Sequence, residues 1–453
     1  MKPLSIQKIA ARIGAEYRGG DAMVGGVSTD SRSTAPGCLF VALTGDRFDG
    51  NDYVAGALEG GARWAVAQRV PEGCDPERVL LVPDGREALL GIAQLYRESL
   101  EVQVIGITGS VGKTTTKEMT ACVMEAGFST WKTPLNLNNE IGVSQTILQL
   151  EESHRAAVLE MGMDGPGQMA PLSRCARPDA AIITNIGVSH LQQMGSREGI
   201  LREKLDITAG MHERAPLLLN ADDELLSTVQ LRRPVLRYGI DAADAAVRAL
   251  HIKEFSTHTT FEILYNESRF DAQIPCMGRH NVYNALAAFL AGATFGIEPA
   301  AAISALKSYV PAGMRQRVVP HGEFTVVEDC YNAAPDSMAA ALRTLGGLTC
   351  GGRRIAVLSD MLELGEIGRE AHYEAGATAA DCGVDALLCT GPLSAEIRRG
   401  AAEAGMEQAQ YFESKEALFG RLKELIGPGD VVWFKASRGM KLEQVIELVY
   451  QQL

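Results

Sequence analysis

Apolar residues at Leu4, Ile6, Ile9, Ala10 and Ile13 recur at helical spacing and predict an amphipathic N-terminal helix. The segments GGVSTDSR, PGCLFVALTG, GARWAVA and RVLLVPD are short apolar runs between turn residues and predict strands. Helical spacing returns from Arg86 to Glu98. From Val102 the rhythm changes: the apolar runs VQVIGIT, AAVLEMG, DAAIITNIG and APLLLNADD alternate with helical segments, first TTKEMTACVMEAG. Such alternation predicts βαβ units and a mainly parallel sheet. It becomes irregular over residues 235 to 275, and NVYNALAAFLAGATFG follows as an alanine-rich helix. After VPAGMRQRVV, where Pro311 and Gly313 mark a boundary, four more apolar strands run into polar or glycine-containing loops: FTVVEDCYN, RRIAVLSDM, DALLCTG and DVVWFKASRG. That pattern predicts a second doubly wound unit.

The chain has 453 residues, and at roughly 150 residues per domain about three are expected. The expected fold is α/β with three domains: a small N-terminal α/β module over 1–99, a central phosphate-loop, mainly parallel sheet over 100–313, and a C-terminal Rossmann-like domain over 314–453.

Composition narrows the class. A hydrophobic fraction of 46% with 22% charged residues describes a globular chain. The net charge of -13 argues against nucleic acid or anionic lipid as a partner, since both need a cationic surface. No run approaches the ~18 apolar residues of a membrane span, and the N-terminus lacks the unbroken apolar core of a signal peptide. Membrane insertion is not expected. The nine cysteines are scattered and never form a C-x-x-C pair. A reducing cytoplasm is the expected location.

The strongest chemical signal is GITGSVGKTTTKE, Gly106 to Glu118. The pattern G-x-x-x-x-G-K-[ST] fails only where it asks for glycine at Ile107. Gly109, Ser110, Val111, Gly112, Lys113, Thr114 and Thr115 still stand between an apolar strand and a helix. Glycines let backbone N–H groups face phosphates, the helix N-terminus favours negative charge, and a lysine neutralises the terminal phosphates. Thr114 is placed to ligate Mg²⁺. No N-K-x-D guanine motif accompanies the loop. Glu160 ends the strand of AAVLEMG, as a second metal ligand would, or is a solvated strand-end glutamate. VSHLQQMGS delivers His190 to the same sheet edge, as a structural residue or as a metal or phosphate contact. Lys204 in LREKLDITAG reads by itself as an ordinary helix-surface lysine.

Taken in order along the chain, these motifs resemble the Mur ligase family, ATP-dependent ligases that build the peptide of bacterial cell-wall precursors. STDSR and PGCLFVALTGDRFDGNDY resemble the family's UDP-binding module. GITGSVGKTTTKEM, NLNNEIGV, LEMGM, NIGVSHL, REKLDI and GRHNVYNALAA follow in the centre, then GMRQRV, EDCYNAAPDSM, LSDMLELGE and KASRGMKLE. NEIG, YNAAPDS and DMLELG resemble the member that adds D-alanyl-D-alanine to UDP-N-acetylmuramoyl-tripeptide, and the D-N-P-R motif usual in the third-residue ligase is absent.

The resemblance implies ATP and Mg²⁺ as cofactors. It implies that Lys113 and Thr114 bind ATP phosphates and one Mg²⁺, completed by Glu160, and that His190 and Lys204, a lysine typically carbamylated in the family, serve a second. Lys113, Glu160, His190 and Lys204 are the implied catalytic residues. Asn281 and Arg315 would contact the nucleotide, Asp329 and Asn332 the ribose or adenine, Ser31 and Arg32 the uridine diphosphate, and Asn138 and Asn139 the substrate. A monomer is expected. Ala334 stands where many relatives have asparagine, and Ser359 and Ala436 where they have glycine. Other readings are the ligase that adds the third stem residue, a folylpolyglutamate-type ligase and a catalytically silent nucleotide-binding partner.

Overall fold

A computed structural model of the chain describes residues 1–45, 48–311 and 313–453. Asp46 and Arg47 of the PGCLFVALTGDRFDGNDY motif, and Ala312 of the boundary stretch, lie outside the described residues.

Three α/β units follow one another. The first carries a four-stranded parallel sheet in the order Val27–Ser28, Leu39–Val41, Trp64–Ala67, Val79–Leu81. The helices Ile6–Ile13 and Gly85–Glu98 begin on Ser5 and Asp84, whose side chains accept backbone N–H groups as N-caps. Helix Gly85–Glu98 also belongs to the centre. Its Leu89, Ile92 and Tyr96 share one apolar cluster with Val143, Ile147, Leu159 and Leu172. The Tyr96 hydroxyl donates to Leu150 O at 2.5 Å, and the buried Arg97 donates to the carbonyls of Leu100, Val102 and Ala176. These bonds satisfy loop carbonyls that would otherwise be stranded in the core.

The central sheet has nine strands, in the order Thr130–Lys132, Ala156–Glu160, Gln103–Thr108, Ala180–Ile183, Leu217–Asn220, Val235–Gly239, Val247–Glu254, Thr259–Tyr265, Ser268–Ile274. The first seven are parallel, and the last two add an antiparallel meander, which is the irregular stretch of the sequence. Helices cover both faces. Val104 packs with helix Gly85–Glu98, whereas Ile105 and Ile107 pack with Met119 and Val123 of helix Lys113–Glu125 and with Ala285 to Ala291 of helix Arg279–Thr294. Burial on both faces explains why this strand reads as a continuous apolar run.

Gln103–Thr108 lies between Ala156–Glu160 and Ala180–Ile183, with Glu160 in register with Ile107 and Ile183 with Thr108. The loops after these three strands therefore open on one edge, where ligands bind in such sheets.

The third unit has six strands, ordered Arg317–His321, Phe324–Asp329, Val431–Lys435, Arg354–Leu358, Ala386–Thr390, Ala409–Phe412, parallel except for the first pair. Asp329 and Lys435, in register at the ends of adjacent strands, line a cleft together with residues from the central unit's open edge. All nine cysteines are free, and no helix among the described residues is long and apolar enough to cross a membrane.

Candidate active site

The phosphate loop is held by tight packing. Gly109 has φ +152° and a Cβ there would lie 1.8 Å from Thr184 Oγ1; Gly112 has φ +81° and a Cβ would meet Asn284 Oδ1 at 2.8 Å. Both steric room and backbone conformation require glycine. Asn185 fastens the loop: its carbonyl accepts from Ser110 N at 3.1 Å, its Oδ1 from Val111 N at 3.0 Å, and its Nδ2 donates to Val111 O at 3.0 Å. Lys113 Nζ donates to the carbonyls of Gly109 (2.7 Å) and Ser110 (3.1 Å). Burial lowers the Lys113 pKa, and the nearby Glu160 opposes that.

Glu160 closes the neighbouring strand and is buried. Oε1 accepts from Asn138 Nδ2 at 2.9 Å, and the Glu160 N–H donates to Thr133 Oγ1 at 2.9 Å. Oε2 is buried and has no hydrogen-bond partner among the described residues. An ionised carboxylate oxygen left bare at a phosphate loop is costly unless it meets a cation, and Mg²⁺ is usually held by one or two carboxylates together with substrate phosphates. The donor set of Glu160 and the Thr114 hydroxyl fits that ion. Among the described residues no group of three or more His, Cys, Asp or Glu side chains is arranged to hold a metal, so such a site would be completed by phosphate oxygens and water.

His190 sits in the left-handed region at φ +62°, before the short helix Leu191–Met194. Burial, with Lys113 next, pushes its pKa down, which keeps the imidazole neutral and able to donate a lone pair. Lys204 departs most from its sequence reading. Helix Arg197–Leu205 turns it inward, where it is 2% exposed. Its neighbour Glu203 accepts the N–H groups of Gly167 and Met169, both at 2.8 Å, which fixes that side of the helix against the protein. Burial, then Lys113, drives the Lys204 pKa well below the usual lysine value.

Beneath the loop, helix Arg279–Thr294 supplies a chain of amides. Thr116 Oγ1 donates to Asn284 Oδ1 at 3.0 Å, Asn284 Nδ2 to Asn281 Oδ1 at 3.0 Å, and Asn281 Nδ2 to Met277 O at 2.8 Å and to Gln316 Oε1. From the third unit, the Arg315 guanidinium lies 4.1 Å from the Tyr331 ring centroid. Asp329 is paired with Lys435 Nζ at 2.7 Å and accepts Trp433 Nε1 at 3.3 Å. Asn332 is exposed on the same rim. Ala334 precedes helix Pro335–Gly347; Ser337 Oγ accepts its N–H at 3.0 Å and donates to its carbonyl at 2.9 Å, so the helix start needs no side chain at 334. Ser359 donates to Thr390 O, and Ala436 is fully buried.

One cleft of about 1170 Å³ gathers these groups: residues 110–115, Asn138, Asn139, Glu160, His190, Asn281, Arg315, Asp329 and Asn332 all line it. Gly109 and Lys204 are not on its wall. Asn138 is committed to Glu160, and Asn139 caps helix Glu140–Leu148 by accepting Gly142 N at 2.9 Å. Ser31 and Arg32 lie outside the cleft, on a turn of the first unit. There Arg32 is exposed and grips Asp30 through Nε and Nη2, both at 2.9 Å, holding that carboxyl down to about 2.

The wall also includes residues not anticipated from sequence: Asn284, Tyr331, Asp336, Lys435 and Arg86, the last paired with Glu140 at 3.0 Å. Asn284 had a signal, since it falls three residues after Asn281 and so on the same helical face. The others come together only through tertiary packing.

Comparison with known proteins identifies the family. Family models described as "Mur ligase family, catalytic domain", "Mur ligase middle domain" and "Mur ligase, glutamate ligase domain" match residues 23–97, 107–292 and 314–438. The chain belongs to the Mur ligase family. It is 39% identical to the UDP-N-acetylmuramoyl-tripeptide--D-alanyl-D-alanine ligase of Bacillus subtilis, covering 94% of this chain and 93% of that one. The enzyme of the same name from Escherichia coli is 33% identical over 100% of this chain and 99% of its own. Among solved structures, MurF from Acinetobacter baumannii superposes with a TM-score of 0.91 at 27% identity, covering 100% of both chains. MurF from Thermotoga maritima in complex with ADP gives 0.85 at 29% identity, covering 94% of this chain and 97% of that one.

Proposed function

We propose that this chain is the ATP-dependent ligase that joins D-alanyl-D-alanine to the terminal carboxylate of UDP-N-acetylmuramoyl-tripeptide, giving the pentapeptide precursor of peptidoglycan, ADP and phosphate. The observation that carries the reading is one cleft in which the phosphate loop, Glu160 with its bare oxygen, and Arg315, Asp329 and Asn332 of the third unit converge, in a chain whose relatives carry that name along their whole length.

The reaction asks for a carboxylate to attack the γ-phosphorus of ATP. The O–P bond formed expels ADP, and the dipeptide's free amine then attacks the acyl carbon and expels phosphate. Carboxylate and triphosphate repel one another, so catalysis is largely positioning and charge neutralisation. The loop amides and Lys113 hold the phosphates, whose charge restores the ammonium form that burial disfavours. Glu160 Oε2 and the Thr114 hydroxyl would hold Mg²⁺, with His190 and Lys204 the candidates for a second ion. Bound Mg²⁺ supplies the positive charge that lets the two anions meet. The buried Lys204 is biased toward its neutral amine, the form that adds CO₂, and a carbamate there would be an anionic oxygen donor suited to Mg²⁺.

Arg315, flattened on Tyr331, and Asp329, oriented by Lys435, are assigned to the nucleotide's base and ribose, with Asn332 on the same rim and Asn281 fixing the floor. Ser31 and Arg32 are assigned to the uridine diphosphate, and Asn138 and Asn139 to the substrate side of the cleft, where Asn138 also orients Glu160. Leu362 to Leu364 from the third unit and Leu191 and Gln192 from the centre line the same cleft, an arrangement suited to keeping water from an acyl phosphate. The domain limits 1–99, 100–313 and 314–453, a monomeric state and a cytoplasmic location belong to the same proposal.

The test is ADP release from ATP, Mg²⁺ and UDP-N-acetylmuramoyl-tripeptide with D-alanyl-D-alanine present, omitted or replaced by single amino acids. Release that requires the dipeptide, with a pentapeptide product by mass, is expected. Release with a single amino acid assigns a different ligase step.

A further inference from the structure

Helix Pro335–Gly347 of the third unit starts at the nucleotide cleft, and its second residue, Asp336, directs its carboxylate across to the central unit. Oδ2 accepts the backbone N–H of Val188 at 3.3 Å, over a sequence separation of 148 residues. The same oxygen stands where a side chain at Gly187 would begin: a Cβ there would lie 2.1 Å from Asp336 Oδ2 and 3.3 Å from Ser110 Cβ. Gly187 does not occupy the positive-φ region. A side chain at 187 would therefore have to displace the Asp336 carboxylate, while the backbone conformation there does not demand glycine.

Those two side chains belong to different units. Gly187 N–H donates to Ser110 Oγ at 2.9 Å, and Ser110 N–H donates back to Asn185 O at 3.1 Å. The segment Asn185–Val188 is thus tied to the phosphate loop through Ser110 and to the third unit through Asp336. His190 follows two residues later, held in a left-handed conformation at φ +62°.

We infer that Asp336 is a positioning residue for the ligase reaction: seated on Val188, it couples placement of the third unit to the setting of Ser110 and His190. The inference rests on the functional reading above. It predicts an effect on turnover more than on nucleotide affinity, because Lys113 and the loop amides hold the triphosphate from the central unit, and Asp336 bonds to none of Arg315, Asp329 and Asn332, the third-unit groups assigned to base and ribose. The role needs an oxygen acceptor and not a negative charge, so an asparagine at 336 serves it.

The experiment uses the full-length protein with Asp336→Ala, Asp336→Asn and Gly187→Ala. Turnover and the KM of each substrate are measured, together with amide hydrogen exchange of the 185–190 segment in the presence of Mg²⁺ and a non-hydrolysable ATP analogue. Losing one acceptor to a backbone donor at the site predicts about a ten- to hundredfold fall in kcat for Asp336→Ala and Gly187→Ala, with the KM for ATP within about threefold of wild type. Asp336→Asn should stay within about fivefold of wild-type kcat. Protection of the Val188 amide within that segment should be lost in Asp336→Ala and kept in Asp336→Asn.

Wild-type kcat and wild-type exchange in Asp336→Ala would overturn the inference. So would equal damage from alanine and asparagine, which would assign a role to the charge, or a raised KM for ATP at unchanged kcat. If the wild-type protein releases no ADP from the three substrates, the functional reading fails instead. The exchange measurement then decides the contact by itself, and equal exchange in wild type and Asp336→Ala would remove it.

Discussion

Asn138 Nδ2 donates to Glu160 Oε1 at 2.9 Å, and this single bond leaves Oε2 of the same carboxylate buried and bare beside the phosphate loop. One oxygen orients the group and the other stays available. Removing the charge with Glu160→Gln should lower kcat by about a hundredfold or more, the scale of losing one electrostatic contact to the transition state. Asn138→Ala should cost about tenfold and raise the Mg²⁺ concentration needed for half-maximal rate. A Mg²⁺ titration of the steady-state rate in both variants checks this; an unchanged midpoint in Asn138→Ala would separate Asn138 from the metal.

Gly109 tests the loop itself. Alanine at this position places a Cβ 1.8 Å from Thr184 Oγ1, at φ +152°, and Thr184 Oγ1 is also the donor to Val111 O at 2.6 Å. The clash therefore displaces the loop. The expected outcome is a loss of about 1–3 kcal/mol in stability from backbone strain, together with ATP binding weakened beyond what a fluorescent analogue can detect at micromolar concentration. Urea melts and an analogue titration on one preparation measure both.

Lys204 carries a stability cost with a definite pH dependence. Its pKa in the folded protein lies well below its unfolded value of 10.5. Between the two the unfolded chain binds a proton that the native state does not, so stability rises with pH across that window. Above 10.5 both states are neutral and the cost vanishes. Lys204→Met removes the titrating group, so in carbonate-free buffer it should melt higher than wild type at neutral pH, with the gap closing toward pH 10.5. Activity should fall by about a hundredfold or more if Lys204 serves the metal site. Thermal melts over pH 7 to 10.5 read the first effect and ADP release the second; a gap that does not change with pH would contradict the burial argument.

Arg32 tests the first unit. Its side chain is exposed and, among the described residues, its only ion pair is with the neighbouring Asp30, so Arg32→Ala should leave the melting temperature unchanged. Assigned to the uridine diphosphate, it should raise the KM for the UDP-linked substrate about tenfold, with the KM values for ATP and dipeptide unaffected. A change shared by all three KM values would point to a general distortion.

Much of the architecture was legible because alternation of apolar runs with helical spacing reports βαβ order directly. The strand, loop and helix around residues 103–125 are an example: Gly109, Gly112 and Lys113 fall where strand ends and helix begins. The antiparallel meander over 247–274 read only as irregularity, because its strands alternate buried and exposed residues and lack the solid apolar signal of the parallel ones.

Residues whose role depends on distant partners were silent. Lys204 looked like a surface lysine because its helix has almost no one-sided polarity in sequence, and only packing against the loop held by Glu203 turns it inward. Asp336 stands in the sequence only as one letter of the motif YNAAPDS. Its actual partner, Val188, lies 148 residues away.

The central claim is that this cleft uses the γ-phosphate of ATP to activate a carboxylate. The direct measurement is to label the terminal carboxylate of UDP-N-acetylmuramoyl-tripeptide with ¹⁸O, run the complete reaction with D-alanyl-D-alanine, and determine by mass where the label goes. An acyl-phosphate route predicts one labelled oxygen in the released phosphate for each pentapeptide formed. Phosphate released without label while pentapeptide accumulates would contradict the account.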